Sequence, residues 1–377
     1  MSDAPSEDFA RTVVIERALL RNVRNLRPIE IEFSPGLNVF TGDNGQGKTS
    51  FLEALTLGLT SRSFRTEQSK DIVAHSEVDA MVELSIRESG LMHSQRVVLV
   101  RSRKSTLIDG KRVAKVADFA VRTPVVVFHP ADLSLVSGPA ALRRTLLARV
   151  SLYLDPLTME MRRTYIQALR ERQRLLSDRG VKAPGIEAFE HIASEQGARL
   201  TVAHEEAARA LLRELEPICE SLLPTGIKLA ARHNCSGSAD KLAFAQRLAE
   251  CRSIDLIRGR PSFGPQRDDI VLLLGDADAR KHGSQGQQRL FALALKLAEF
   301  ESVRKARHQH PILLLDDVAS ELDPHRTSAV LDWVSRIRSQ VFVTTTRFSA
   351  GEERIFPALP RRKFWVHDGV AVQELER

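Results

Sequence analysis

Residues 37–55 read LNVFTGDNGQGKTSFLEAL, and this stretch decides the fold. Leu37 to Phe40 form a short apolar strand, a glycine-rich turn follows, and an apolar helix begins at Thr49 and runs to about Leu59. Gly42, Asp43, Asn44, Gly45, Gln46, Gly47, Lys48 and Thr49 fit the phosphate-loop pattern of Gly, four residues, Gly, Lys, Ser or Thr. The pattern also has the context it needs, a strand before it and a helix after. The residue types follow from the chemistry. Glycines let the loop turn so that backbone N–H groups face phosphate oxygens. The helix start adds partial positive charge. Lys48 is expected at the β- and γ-phosphates and the Thr49 hydroxyl on Mg²⁺. The overlapping Gly45-Gln46-Gly47 is a poor dinucleotide fingerprint.

Two further segments answer this loop from the other end of the chain. Ile312-Leu313-Leu314-Leu315-Asp316-Asp317 is an apolar strand ending in two carboxylates. Strands deliver such side chains to a nucleotide crevice at the carboxyl edge of a sheet. Asp316 is expected to help hold Mg²⁺ through its water shell, and Asp317 to orient or deprotonate the attacking water. Away from a phosphate loop the pair would read as a helix cap. Gly283-Ser284-Gln285-Gly286-Gln287-Gln288-Arg289 opens a helix and, by itself, is a polar loop with a serine N-cap.

The remaining pattern places strands over 13–20, 29–33, 79–100, 106–114, 125–128, 227–232, 270–274 and 341–343, and a helix from Asp323 to about 337. Residues 1–11 read as a loose tail. Asp155 and Pro156 start a helix on which Leu157, Met161, Tyr165 and Leu169 recur at helical spacing. A break at 177–184 and a second helical run over 185–223 predict a helical hairpin. Arg162, Arg163, Arg170, Arg172 and Arg174 decorate its first helix, either as phosphate contacts or as a solvated face. Arg62 and Arg65, after the phosphate-loop helix, carry the same two readings. The expected organisation is an α/β P-loop head built from 1–145 and 265–377, with a mostly helical lobe, 146–264, inserted between.

Composition sets limits. The chain has 377 residues, 43% hydrophobic and 27% charged, which excludes a wholly disordered or collagen-like chain. No run of 18 apolar residues marks a membrane span, and 1–11 holds no apolar run of a secretory signal. Three cysteines, Cys219, Cys235 and Cys251, without CxxC spacing fit unpaired thiols in a reducing cytoplasm. The formal net charge of +7 fits a polyanion partner, and an arginine-rich composition would produce it equally.

The Ser284 segment resembles the signature motif of ABC-type ATPases, and Ser320-Glu321-Leu322-Asp323 resembles their D-loop. The wording is narrower still. Residues 284–299 (SQGQQRLFALALKLAE), 38–49, 313–323 (LLLDDVASELD), Gly264-Pro265-Gln266-Arg267-Asp268-Asp269 and Arg21-Asn22-Val23-Arg24-Asn25-Leu26 resemble the RecF family of DNA repair ATPases. So does the run from Pro130 to Gly138 followed by Arg143-Arg144. The resemblance spans essentially the whole chain, in order. It implies an ABC-type, SMC-like head that binds ATP and Mg²⁺ and dimerises on ATP. Ser284, Gly286 and Gln287 would then complete the γ-phosphate site of a second copy, with Ser284 and Asp317 as the catalytic groups. It further implies weak, DNA-stimulated hydrolysis and clamping of DNA, single-stranded and duplex, at gaps. RecR and RecO are the implied partners, recombinase loading the implied outcome, and cytoplasm the implied place.

The chain departs from the family pattern at Ala131, Pro139, Ala148 and Gln266, which places partner contacts in question there. An Asp at 317 and Thr344-Thr345-Thr346 in place of a switch histidine suit slow hydrolysis and speak against a membrane-transporter subunit. A RecF-like scaffold, or the ATPase partner of a nuclease, is the alternative.

Overall fold

The structure is a computed structural model that describes residues 12–101, 103–222, 228–317, 333–346 and 360–374. Met1–Asp132 and Val303–Arg377 form one compact unit, and Leu133–Ser302 forms the other. The helical lobe is thus an insertion between two halves of an α/β head, as the sequence pattern predicts for the fold class. The D-loop-like segment 320–323 and the start of the helix expected from Asp323 lie outside the described residues, as does the expected tail at 1–11.

The first unit has two sheets. One is antiparallel, in the order β2-β1-β4-β5-β6-β7, from β1 (Val13–Arg21), β2 (Ile29–Glu32), β4 (Asp79–Glu88), β5 (Leu91–Val100), β6 (Arg103–Ile108) and β7 (Lys111–Arg112). The other runs β15-β14-β3-β13-β12-β8, from β3 (Leu37–Thr41), β8 (Val125–Phe128), β12 (Ile312–Asp316), β13 (Val341–Thr344), β14 (Arg361–His367) and β15 (Val370–Gln373). It is parallel from β14 through β8. The short helix α2 (Val116–Ala120) precedes β8. The sequences explain the difference. On β4, Ala80, Val82, Leu84 and Ile86 are buried while their neighbours are not, the alternation of a one-faced antiparallel sheet. β3, β12 and β13 are buried at every position, as apolar parallel strands covered on both faces must be.

Helix α1 (Lys48–Thr60) packs on β4 and β5 and on β8, β12 and β13. Its polar stripe is narrow, Thr49, Glu53, Thr56 and Thr60 at helical spacing, and apolar residues fill the rest of the circumference, which suits burial on most sides; eleven of its residues are buried. Gly58 lets it approach the antiparallel sheet, since a Cβ there would lie 2.7 Å from Leu84 and Val82. Phe40 stacks between Phe51 and Phe364, at 5.2 and 5.0 Å, and fixes β3 against α1 and β14.

The second unit holds α3 (Ser134–Ser137), α4 (Ala140–Leu154), α5 (Thr158–Arg179), α6 (Ile186–Leu222), α7 (Lys241–Glu250), α8 (Arg252–Arg258) and α9 (Ala279–His282). A small antiparallel sheet, β11-β10-β9, joins β9 (Leu229–Asn234), β10 (Asp269–Leu274) and β11 (Ala277–Asp278). Helix α10 (Gln285–Arg307) carries residues of both units. α5 and α6 form the expected hairpin, turning through Gly180 and Gly185 at φ 77° and 82°.

Arg172 corrects the reading of the α5 arginines. It is fully buried, with Nε donating to Glu190 at 2.9 Å, one Nη to Asp255 at 2.7 Å and the other to the Leu248 carbonyl at 2.6 Å. A guanidinium so enclosed ties α5 to α6, α7 and α8 and cannot reach a phosphate. Arg163 and Arg174 pair with Glu160 and Glu171 on their own helix.

The family-like segments around Gly138 and Gly264 meet in this unit. Arg143 grips Asp269 with two bonds of 2.8 and 3.0 Å and donates to the carbonyls of Leu135 and Gly138. Arg144 donates to the Asp268 carbonyl at 3.1 Å. Gln266 accepts from the Tyr165 hydroxyl at 2.5 Å and donates to the Phe263 carbonyl, so it is integrated where the family pattern has histidine.

Candidate functional site

The site grows from the turn between β3 and α1. Gly42 has φ 143° and would drive a Cβ into the Val366 carbonyl oxygen, so no other residue fits beside β14. Gly47, at φ 113°, caps α1 in the left-handed region. From the first position of the helix Lys48 turns back over the loop, its Nζ donating to the carbonyls of Gly42 at 2.6 Å and Asp43 at 2.9 Å. Burial pushes the Lys48 pKa below its usual value, opposed by Asp317, Asp316 and Asp43.

Parallel pairing brings the carboxylates to the same edge. Asp316 lies opposite Thr344 in the β12–β13 register. Its Oδ1 accepts from Thr49 Oγ1 at 2.9 Å and Thr344 Oγ1 at 2.7 Å. The Asp317 N–H donates to Thr344 Oγ1 at 2.9 Å and to the Thr344 carbonyl at 3.2 Å. Those bonds hold Asp317 at φ 50°, a left-handed conformation costing on the order of 1–2 kcal/mol. Burial raises the Asp316 pKa, with the two threonine hydroxyls opposing.

Lys48, Thr49, Asn44, Gly45 and Gly47 open with Asp317 and Thr344 onto a cleft of about 860 Å³. Its other wall includes Arg24, Asn25, Arg65, Lys70 and His75. Glu53 of α1, fully buried, organises that wall: Arg24 grips it at 2.9 and 2.8 Å, Arg65 reaches it at 3.2 Å, and Ser63 donates at 2.5 Å. Asn25 donates to the Gly45 carbonyl at 3.2 Å and accepts from Ser50 at 2.8 Å. Gln46 turns away from the cleft. Its Oε1 accepts from the Asp368 N–H at 2.8 Å and its carbonyl from the Gly369 N–H at 3.0 Å. The β14–β15 turn therefore braces the phosphate loop from behind.

Sequence reasoning found the loop and both carboxylates. It missed Thr344 as a bridge between them, having noted only that no histidine stands there. It missed the Glu53 hub, for which a carboxylate inside an apolar helix was the available signal.

Ser284, Gly286 and Gln287 lie at the start of α10, in the second unit. The Ser284 N–H donates to Gln287 Oε1 at 2.9 Å and the Gln287 N–H donates to Ser284 Oγ at 3.3 Å. This reciprocal capping box satisfies two helix-terminal donors and leaves Ser284 exposed.

The oxygens of Thr49 and Asp316 make a hard donor pair of the type Mg²⁺ takes. A divalent cation there would also offset the burial that raises the Asp316 pKa, so these residues fit the ion. One consequence is testable without nucleotide. A carboxylate whose folded pKa is raised penalises folding above that pKa, and the penalty fades as pH falls toward 3.8, the unfolded value. Asp316→Asn keeps an acceptor for both threonines and removes the charge. The nucleotide-free variant should be more stable than the parent at pH 7, with the gap closing in mild acid. Thermal melts across pH test this, and a variant less stable at pH 7 overturns it.

Among the described residues no cluster of three metal-ligating side chains occurs, and no helix is long and apolar enough to cross a membrane.

Known proteins share this architecture. The family model described as the RecF/RecN/SMC N terminal domain matches residues 14–354. The DNA replication and repair protein RecF of Geobacter sulfurreducens is 35% identical over 337 residues, 86% of this chain and 91% of its own length. That of Symbiobacterium thermophilum is 35% identical over 366 residues, 93% and 95% of the two chains. A solved structure of the recombination mediator protein RecF-ATP in the RecFOR pathway superposes with a TM-score of 0.86 at 26% identity, covering 97% of this chain and 98% of that one. The Smc head domain of Pyrococcus furiosus, at 18% identity and a TM-score of 0.55 over 96% of each chain, shares the fold, that of an ABC-type ATPase head.

Proposed function

The chain belongs to the RecF family, and from that premise we propose that it is an ATP-dependent DNA-binding protein of recombinational repair and replication restart. One observation carries the proposal: Lys48, Thr49, Asp317 and Thr344 line one cleft behind a glycine-rich loop, and the buried Asp316 accepts from both threonines. Relatives that match over nearly their whole length are DNA replication and repair proteins, and a close structural neighbour is RecF-ATP.

In this reading the loop N–H groups and Lys48 receive the ATP phosphates. The Arg24, Asn25 and Arg65 wall leaves room for the nucleoside. Thr49 and Asp316 hold Mg²⁺, which when bound draws charge from the phosphates. Asp317 takes a proton from the attacking water as its oxygen bonds to the γ-phosphorus and the bond to the β–γ bridging oxygen breaks. Thr344 is a positioning residue for the Asp316 carboxylate and for the backbone of Asp317. Ser284, Gly286 and Gln287 of a second copy complete the site, so the ATP state is a dimer that clamps DNA at single-strand gaps. RecR and RecO are its partners and recombinase loading its outcome. Hydrolysis is slow, which suits a timed clamp.

Anisotropy of a labelled gapped duplex, titrated at fixed salt with ATP and with ADP, tests this. Tight binding with ATP alone is expected; equal binding in both nucleotides removes the gating. Salt is fixed because phosphate-driven affinity depends steeply on it.

A further inference from the structure

We infer that the β6–β7 hairpin, at the edge of the antiparallel sheet, is a docking surface for the sugar–phosphate backbone of duplex DNA. The inference rests on the DNA-binding reading above and gives it a place on the molecule.

Positive charge is dense there. Residues 101–115 hold six cations and one carboxylate, net +5, against +7 for all 377 residues. Residues 162–174 are comparably basic at net +4, but there Arg172 is buried and Arg163 and Arg174 pair with glutamates.

The hairpin also differs from its own sheet in how its charges are met. Of the four arginines elsewhere on that sheet, three face glutamates: Arg17 with Glu30 at 2.5 Å, Arg87 with Glu16 at 2.7 Å and Arg96 with Glu83 at 2.8 Å. Among the described residues no carboxylate pairs with Arg103, Lys111 or Arg112, and all three are exposed. Asp109, the carboxylate in the turn, accepts from the Ser94 N–H at 2.7 Å. Like charges gathered without neutralisation repel one another, and a polyanion would relieve that.

Register sets their spacing. Leu107 pairs with Arg112 and Ile108 with Lys111. Arg112 therefore shares a face with Arg103, and Lys111 shares the other face with Lys104. Four residues of strand separate the members of each pair along the hairpin, about 13 Å. Arg103 and Arg112, set apart along one face, match a repeating linear anion, whereas a small anion would need convergent donors; on the other face Lys104 is taken up by a backbone carbonyl and Lys111 stands exposed at the edge. Duplex DNA offers about one negative charge per 1.7 Å of its axis.

The hairpin is fixed to the nucleotide helix. Lys104 Nζ donates to the carbonyl of Ser61, the C-cap of α1, at 2.6 Å. α1 begins at Lys48 in the phosphate loop, so the two candidate sites stand at opposite ends of one helix about 20 Å long.

Charged edge strands also block strand-to-strand aggregation. That role predicts no change in DNA affinity when the charges are removed, so experiment separates the two. The triple variant Arg103→Gln, Lys111→Gln, Arg112→Gln is compared with a control of equal charge change, Arg17→Gln, Arg87→Gln, Arg96→Gln. Duplex binding with ATP is followed across salt. The hairpin variant should lose roughly a hundredfold in affinity near 0.15 M salt, and its log–log salt slope should fall by about 2.7, near 0.9 per lost contact. The control should keep the parental slope. In the unmodified protein, duplex DNA should also protect Lys111 and Lys115 from amine acetylation, a readout independent of any variant.

Failure of the parent protein to bind duplex DNA at any salt overturns the DNA-binding reading itself. Parental binding with an unchanged slope in the hairpin variant and unprotected Lys111 overturns the hairpin assignment alone. An equal loss in the control does so too, since net charge would then suffice.

Discussion

Lys48→Met is expected to weaken ATP binding a hundredfold or more while leaving the nucleotide-free protein about as stable as the parent. Removing one partner of a desolvated charge pair costs roughly 2–5 kcal/mol, which at 1.4 kcal/mol per decade spans that loss and more. Nucleotide-free stability behaves differently because Lys48 is poorly solvated. Its folded pKa lies below 10.5, so folding disfavours the charged form at neutral pH, and that penalty disappears only as pH rises through 10.5. Methionine removes the penalty and strands two carbonyl acceptors, Gly42 and Asp43, that Lys48 serves. The two effects oppose each other, the stranded carbonyls costing on the order of 1–3 kcal/mol. Calorimetric titration with ATP and a thermal melt of the nucleotide-free variant give both quantities. An ATP Kd within fivefold of the parent removes Lys48 from the phosphate site.

How much of this was legible in sequence depends on how locally each feature is encoded. β3, α1, β8, β12 and β13 fall within a residue or two of the pattern because each is a short apolar run between turn signals. α4 went unread. Its packing depends on Arg143 reaching Asp269, 126 residues away, and no periodicity carries that. The β14–β15 hairpin went unread as well, although Asp368-Gly369 is a hairpin turn signal. Three basic residues at the start of β14 hid the strand. In the site, Lys48, Thr49, Asp316 and Asp317 were legible because motif spacing states them. Thr344 was not, since its bridge to Asp316 spans 28 residues and arises from strand register. Arg172 shows the converse: helical spacing places it among surface arginines, and Glu190 and Asp255, from other helices, enclose it.

Asp317→Asn should leave ATP binding intact and slow hydrolysis by about 10²–10⁴-fold, the usual contribution of a general base. The backbone makes this substitution more informative than alanine. Asp317 sits at φ 50°, and asparagine tolerates the left-handed region at least as well as aspartate, so no new strain enters. The bonds that fix the residue run from its N–H to Thr344 and survive the change. Lys48 loses one of the carboxylates that oppose its desolvation but keeps Asp316 and Asp43. What is removed is the proton acceptor. Alanine would add a left-handed penalty on the order of 1 kcal/mol and blur chemistry with folding. Single-turnover hydrolysis and ATP titration of the variant separate the two. If ATP drives a DNA clamp, the same variant should hold gapped duplex long after the parent has released it. Hydrolysis within threefold of the parent would show that Asp317 does not accept the proton, and would leave the carboxylate a role in placing Lys48 alone.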